Sequence, residues 1–456
     1  MAARLLYNFR GVANRDLTPD LALRIGRAAA DLFSRADVAV ACDFRTSSPM
    51  LKSALVAGLL SGGCSVTDYG VLPTPVLAYL TKVRHGGGAM VTASHNPPEW
   101  NGIKLFREDG TVFGPEEEGR IREAVEGQLS YADWRELRGV EACGEGVDIY
   151  LRDVVERVEL GGRRLKVVVD AGGGIASVVV PRMLREMGCE VVELFCEPDP
   201  LFKGRDPEPR PECLGELARA VRESGADVGF AYDGDADRIV VYDERGEYVP
   251  GNLCMIFLAD TFVEDGSTLV VNVGALFGAR LALGGRFRIV AERWGQTFIQ
   301  RRMREVGAAF GGEPDGHYMW PGFLQSYADA IFSTAKVVEA LSKADKPLSE
   351  LLSEYPSLHL VRVKSEPWSG SLPDIRNEIL AFMEERADVV RGDIDTHILY
   401  AETDTYGLTV RQSHWDRTVR IEVEALDLEE AWRVVREAYE VLRPKGVVVP
   451  ELERGA

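Results

Sequence analysis

The 456-residue chain carries 53 Lys and Arg against 72 Asp and Glu, a formal net charge of −19, with 46% hydrophobic and 27% charged residues. That composition excludes a disordered chain and argues against a general nucleic-acid binder, which presents clustered basic residues, although a local arginine cluster can still take an anionic substrate. No run nears the eighteen or so apolar residues of a membrane span and Met1-Ala2-Ala3-Arg4-Leu5-Leu6 lacks a signal-peptide core, so the expected location is the cytoplasm and no membrane partner is expected.

Length predicts about three domains. Seven cysteines (Cys42, Cys64, Cys143, Cys189, Cys196, Cys213, Cys254) show no C-x-x-C spacing and read as buried free thiols. A polar loop over residues 8–16 carries Arg10. Thr18 then caps a helix with Pro19 at its first position. Val38–Ala41 reads as a strand, Cys42–Pro49 as the loop into the next helix, Val66–Gly70 as the end of a further strand, and Pro73-Thr74-Pro75 as a helix start. Strands and helices at these intervals predict parallel βαβ units.

Gly86-Gly87-Gly88 and the apolar Ala89-Met90-Val91 predict a buried strand, and Asn96-Pro97-Pro98 forbids regular structure after it. Ser94 therefore belongs on a rigid loop at a strand end, where ligands collect in open α/β sheets. His95 supplies an imidazole beside it, and Lys104 a cation. The acidic run Glu116-Glu117-Glu118 is expected to be helical and solvated. A first region ends near Cys143–Gly146. Leu165–Asp170 begins a new strand, followed by Ala171-Gly172-Gly173-Gly174, which reads as a tight structural turn ahead of an anion cradle.

Asp227–Ala231 reads as a strand leading into Tyr232-Asp233-Gly234-Asp235-Ala236-Asp237-Arg238, with a strand again at Ile239–Tyr242. Three carboxylates two residues apart can turn to one point, at a cost in like-charge crowding unless a cation sits there; hard oxygen donors suit Mg²⁺. Asp233, Asp235, Asp237 and Glu244 also match positions of a calcium-binding EF-hand loop, but Arg238 stands where that loop needs glycine and strands flank it. A third series of strands and helices runs from Leu269 to Ile299, followed by the loop Gly311-Gly312-Glu313-Pro314-Asp315-Gly316-His317. After a helix at Thr334–Leu341, short strands such as Leu360–Val363 and Val419–Val423 alternate with helices near 372–386 and 427–441, as in a small α+β domain.

Thr92-Ala93-Ser94-His95-Asn96-Pro97 with Asn101-Gly102-Ile103-Lys104 resembles the active-serine signature of the α-D-phosphohexomutases (phosphoglucomutase, phosphomannomutase, phosphoglucosamine mutase). Asp233–Arg238 resembles that family's metal loop, and Gly312–His317 its sugar-recognition loop. Arg411–Arg417 stands where the family has a phosphate-binding loop reading Arg-Pro-Ser-Gly-Thr-Glu-Pro. Arg411 and Ser413 are retained there, whereas Gln412, His414 and Trp415 replace proline, glycine and threonine. Without glycine the backbone approaches an anion less closely, and His414 and Arg417 are candidates to compensate by charge.

The resemblance implies three similar α/β domains plus a C-terminal α+β domain around a central cleft: 1–145 with the active serine, 146–243 with the metal loop, 244–347 with the sugar loop and 348–456 binding phosphate. It implies a phosphohexomutase that interconverts hexose 1-phosphate and hexose 6-phosphate (mannose or glucose) through a phosphoserine at Ser94 and a bisphosphorylated sugar. One Mg²⁺ would be held by Ser94, Asp233, Asp235 and Asp237. Ser94, His95, Lys104, Arg238 and His317 would act at the transfer centre, and Arg10, Glu313, Asp315, Arg411, Ser413 and Arg417 on the substrate. Phosphoglucosamine mutase, acting on glucosamine phosphate, is the alternative within the family. A non-catalytic sugar-phosphate-binding protein is the alternative outside it. The expected partner is a small sugar phosphate, and the sequence leaves monomer or homo-oligomer open.

Overall fold

The computed structural model describes residues 5–322, 324–395, 397–413 and 416–453. The chain forms two compact units, Met1–Val249 with Asp315–Leu351, and Pro250–Pro314 with Leu352–Ala456.

In the first unit, one five-stranded sheet has the order Ile103–Arg107, Gly87–Val91, Asp37–Cys42, Ser65–Val71, Val140–Ala142. Its strands are parallel except for Ile103–Arg107. Helices Pro19–Leu32 and Ser48–Ser61 supply the leucines and alanines that bury Val38, Val40 and Val91. Thr18 caps the first helix by accepting from Leu21 N at 3.3 Å, as its sequence predicts. All five residues of Gly87–Val91 are buried, which is why an uninterrupted small and apolar run suits this interior position.

A second five-stranded sheet has the order Tyr248–Val249, Ile239–Tyr242, Val228–Tyr232, Lys166–Asp170, Glu190–Leu194. The last three strands are parallel and the first two antiparallel. At the end of Lys166–Asp170, the glycine run is a structural turn: Arg205 pairs with Asp170 at 2.9 Å, and a methyl group at Gly172 would lie 2.6 Å from the Arg205 guanidinium carbon. The hairpin Tyr318–Trp320/Gln325–Ala328 and the helix Ala330–Lys343 complete this unit. Lys82 Nζ donates to Leu324 O at 2.7 Å, and Tyr150 OH donates to Asp329 at 2.8 Å.

In the second unit, Thr268–Asn272 lies between parallel strands Arg288–Glu292 and Phe310–Gly312. The C-terminal sheet is antiparallel, ordered His359–Pro367, Thr418–Ala425, Tyr406–Gln412, Ile398–Glu402, Val389–Asp395. The helices Arg376–Glu384 and Leu428–Leu442 bury one face of it through residues such as Ile379, Val434 and Val435. Three α/β regions followed by an α+β region are therefore present, as expected.

Two expectations need correction. Glu118 lies in the helix Pro115–Glu126 but is buried; it shares a face with Ile121 and Val125 and accepts from Asn8 N at 2.8 Å. Of the free cysteines, Cys143, Cys196 and Cys213 are only half-buried. Among the described residues no helix is long and apolar enough to cross a membrane.

Candidate active site

Ser94 follows the interior strand Gly87–Val91 and has φ 53°, a left-handed conformation that a residue with a side chain adopts only when its surroundings hold it. Arg45 does much of that holding. Its guanidinium, fully buried, donates to the carbonyls of Ser94 at 2.7 Å, Asn96 at 2.6 Å, Pro97 at 2.5 Å and Trp100 at 3.1 Å. Asp43 anchors Arg45 from the other side at 3.1 Å and also accepts from Thr92 Oγ1 at 2.7 Å. Thr92 Oγ1 in turn accepts from Ser94 N at 2.9 Å. The loop is thus pinned through its carbonyls, which leaves the serine hydroxyl as its outward chemical group.

That hydroxyl meets the acidic loop. Ser94 Oγ donates to Asp233 Oδ2 at 2.8 Å. Asp233, Asp235 and Asp237 are all buried, each offering an oxygen within 4.8 Å of the others. Burial, then Asp237 and Asp235, push the Asp233 carboxyl well above its usual range. Asp235 Oδ1 is buried with no hydrogen-bond partner among the described residues. An orphaned oxygen, like charges crowded together and an all-oxygen donor set fit a hard divalent cation. The EF-hand alternative does not form: Glu244 turns to the amide of Ser349 at 3.2 Å.

Lys104 reaches the same carboxylates. Its ammonium group donates to Asp235 Oδ2 at 2.6 Å, Asp237 Oδ2 at 2.8 Å and Tyr327 OH at 3.0 Å. Against burial, Asp235 and Asp237 keep its pKa above the ordinary lysine value, so it stays charged. His95 Nδ1 lies 3.3 Å from Ser94 Oγ; burial, then Arg238 and Arg10, push this imidazole well below its usual value, which makes it neutral. His317 is the opposite case. It lies 3.0 Å from Asp315 and 3.3 Å from Asp237, and against burial Asp315, with Asp237, raises it well above the usual value while Arg238 opposes. One neutral and one charged imidazole therefore face the same carboxylate loop.

Arg238 lies between Glu208 and Asp315, 3.6 Å from each. Arg10 donates to Asn96 Oδ1 at 3.1 Å, beside the serine loop. The first unit thus brings together Ser94, His95, Lys104, Asp233, Asp235, Asp237, Arg238, Asp315, His317 and Arg10. Glu313, Arg411, Ser413 and Arg417 belong to the second unit. There Glu313 is buried and accepts from Gly295 N at 2.8 Å. Arg411 is buried within a strand and donates to Glu422 at 2.8 Å. Ser413 N donates to Thr418 O at 2.9 Å, and Arg417 donates to Ser369 O at 2.9 Å. His414 and Trp415 lie outside the described residues.

Three participants carry no local signal of their role. Tyr327 donates to Asp237 at 2.6 Å from a hairpin strand where an aromatic reads as core. Thr74, at a helix start, hydrogen-bonds Asp235 through its hydroxyl, and its amide donates to the Asp235 carbonyl at 3.1 Å. Arg45 lies in the loop Cys42–Pro49, where Asp43-Phe44-Arg45-Thr46-Ser47 resembles the family's Asp-x-Arg-x-Ser segment, but nothing in that segment shows that the guanidinium clamps the serine loop.

Comparison with known proteins places these observations. Sequence models of phosphoglucomutase/phosphomannomutase α/β/α domains I, II and III match residues 6–132, 148–246 and 251–358. A probable phosphoglucosamine mutase from Methanopyrus kandleri is 37% identical over 95% of this chain and 96% of its own length. A phosphoglucomutase/phosphomannomutase from Thermococcus kodakarensis is 35% identical over 93% and 95%. Among solved structures, a phosphoglucomutase/phosphomannomutase family protein from Burkholderia thailandensis superposes with a TM-score of 0.85 at 27% identity, covering 97% of each chain.

Proposed function

We propose, starting from a chain that belongs to the phosphoglucomutase/phosphomannomutase family, that phosphorylated Ser94 is the carrier through which this phosphohexomutase, an isomerase, exchanges hexose 1-phosphate and hexose 6-phosphate. The observation that carries the reading is the 2.8 Å contact between Ser94 Oγ and Asp233 within a buried three-aspartate cluster. Asp233, Asp235 and Asp237, with the Ser94 phosphate, are the residues to hold Mg²⁺, which supplies charge neutralisation to the phosphoryl oxygens. Phosphoryl transfer otherwise asks for positioning and cations. Arg45 fixes the serine carbonyl, and Lys104 and Arg238 bring fixed positive charge. In the return transfer neutral His95 is placed to take the proton of the attacking Ser94 hydroxyl, and His317, protonated beside Asp315, to give one to the sugar oxygen that is released; the first transfer runs both proton movements in reverse.

In this reading phospho-Ser94 passes its phosphoryl group to the free hydroxyl of a hexose phosphate; the bisphosphate turns, and its other phosphate returns to Ser94. Arg10, Glu313, Asp315, Arg411, Ser413 and Arg417 serve the substrate. The chain divides into four domains at 145, 243 and 347 and acts in the cytoplasm. We favour mannose and glucose phosphates. Glucosamine phosphate is the second reading, because relatives such as the Methanopyrus kandleri protein carry that activity in their names.

The test is turnover of glucose, mannose and glucosamine 1-phosphates side by side, each with Mg²⁺ and a trace of the matching bisphosphate. Formation of 6-phosphate that vanishes with Ser94→Ala, with phosphate on Ser94 in the intact-mass spectrum, upholds the reading. Binding of all three sugars with no 6-phosphate formed would leave a sugar-phosphate-binding protein instead.

A further inference from the structure

Each aspartate of the cluster has one carboxylate oxygen taken up by the protein. Asp233 Oδ1 accepts from the amides of Asp237 at 3.1 Å and Arg238 at 3.2 Å. Asp235 Oδ2 accepts from Lys104 Nζ at 2.6 Å and from the Thr74 hydroxyl. Asp237 Oδ2 accepts from Lys104 Nζ at 2.8 Å and from Tyr327 OH at 2.6 Å. That leaves Asp233 Oδ2, Asp235 Oδ1 and Asp237 Oδ1, one oxygen per residue. Ser94 Oγ meets the first at 2.8 Å, the second is buried with no hydrogen-bond partner among the described residues, and the third lies 3.3 Å from His317 Nε2.

The two hydroxyls are themselves held. Thr74 and Tyr327 are buried. The Thr74 amide donates to the Asp235 carbonyl at 3.1 Å, so amide and hydroxyl grip the same residue. The Tyr327 ring packs edge-on against Phe106, with centroids 5.2 Å apart. Gln325, on the same strand as Tyr327, donates to the Pro75 carbonyl at 3.0 Å and ties the two segments together. A neutral hydroxyl fixes a carboxylate oxygen without cancelling the charge that draws a cation, which a second lysine would do.

We propose that Thr74 and Tyr327 are positioning residues that make the cluster selective for Mg²⁺ over Ca²⁺: by occupying Asp235 Oδ2 and Asp237 Oδ2, their hydroxyls hold each carboxylate to a single oxygen for the ion. Mg²⁺ takes near-octahedral contacts at about 2.0–2.1 Å, whereas Ca²⁺ takes about 6–8 oxygens at about 2.3–2.6 Å and readily accepts both oxygens of one carboxylate. A carboxylate that cannot swing its second oxygen inward denies Ca²⁺ that option at no cost to Mg²⁺. The proposal rests on the metal assignment of the mutase reading and goes beyond it in naming what selects the ion.

The test uses the full chain, stripped of metal by chelator and matched for Ser94 phosphorylation by intact mass, as wild type, Thr74→Val, Tyr327→Phe, the two combined, and Thr74→Ser. Calorimetric titration with Mg²⁺ and with Ca²⁺ reads the site without turnover, and melting in chelator shows which variants are folded. Wild type is expected to bind Mg²⁺ more tightly than Ca²⁺. In the double variant the ratio of Mg²⁺ to Ca²⁺ affinity is expected to fall about 10–100-fold, the scale on which partners of metal ligands act, with Mg²⁺ weakened and Ca²⁺ held or tightened. Thr74→Ser, which keeps the hydroxyl, is expected to keep the wild-type ratio. Should the double variant not fold, Tyr327→Phe, which removes one oxygen, decides with a fall of about 10-fold. An unchanged ratio in the variants without a hydroxyl, equal losses for both ions, a lost ratio in Thr74→Ser, or a wild type that prefers Ca²⁺ overturns the proposal. A wild type that takes up neither ion overturns the metal assignment, and the proposal with it.

Discussion

Gly234 lies so close to the Ser94 carbonyl that a methyl group on it would sit 2.4 Å from that oxygen. The serine loop and the aspartate loop, 139 residues apart at their Ser94–Asp233 hydrogen bond, therefore touch backbone to backbone, and only a residue without Cβ permits the approach.

Gly234→Ala should force the two loops apart while leaving both sheets intact. Turnover is expected to fall about 100-fold, in keeping with the cost of misplacing reacting groups by an ångström. The melting temperature should fall by far less than for a core truncation. Steady-state rates and thermal unfolding of the same preparation check this, and unchanged turnover would remove the contact from the mechanism.

Arg45→Met should be severe in another way. Removing one partner of a buried ion pair costs about 3–5 kcal/mol, and here the guanidinium also satisfies four carbonyls of the serine loop. Denaturant unfolding should show that loss, and Arg45→Lys should recover only part of it, because an ammonium group cannot reach four acceptors in a plane.

Lys104 makes the aspartate cluster tolerable when no metal is bound. Lys104→Met in chelator should lose about 3–5 kcal/mol, since two buried carboxylates lose their cation. Added Mg²⁺ should restore more stability to this variant than to wild type. Thermal shift with and without the metal checks it; equal shifts in both proteins would count against a shared site.

Glu424 gives a pH dependence with a definite sign. Burial pushes its carboxyl up to about 7 from the model-peptide value of 4.5, against the Gly278 amide and Asn252. A raised folded pKa contributes stability that is present below about 4.5 and lost as pH rises through about 7. Replacing it by Gln, with the Asn252 amide turned to suit, should make the protein more stable than wild type at pH 8, by up to about 3 kcal/mol. The difference should vanish towards pH 4.5. Unfolding free energies of both proteins across that range decide it.

The parts of the site legible in the sequence are those whose chemistry is contiguous. Thr92–Lys104 and Asp233–Arg238 each place several functional side chains on one short loop, so spacing alone brings them together. Tyr327, Thr74 and Arg45 reach that loop from distant segments in which an aromatic, a helix-start hydroxyl and a loop arginine have ordinary structural explanations. The burial of Glu118 has a local signal, since positions 118, 121 and 125 form one helical face and two of them are apolar, but three successive glutamates mask that periodicity.

The first unit is closed by a stretch of chain that arrives late. Between Val249 and Asp315 the polypeptide builds part of the other unit before returning with His317 and Tyr327. On a ribosome, Ser94, Lys104 and the aspartates emerge well before the hydroxyl of Tyr327 that bridges Lys104 and Asp237. A nascent chain stalled short of that hairpin carries the Ser94 hydroxyl and the carboxylates but not their final constraint. Competence is thereby deferred until most of the polypeptide has been made.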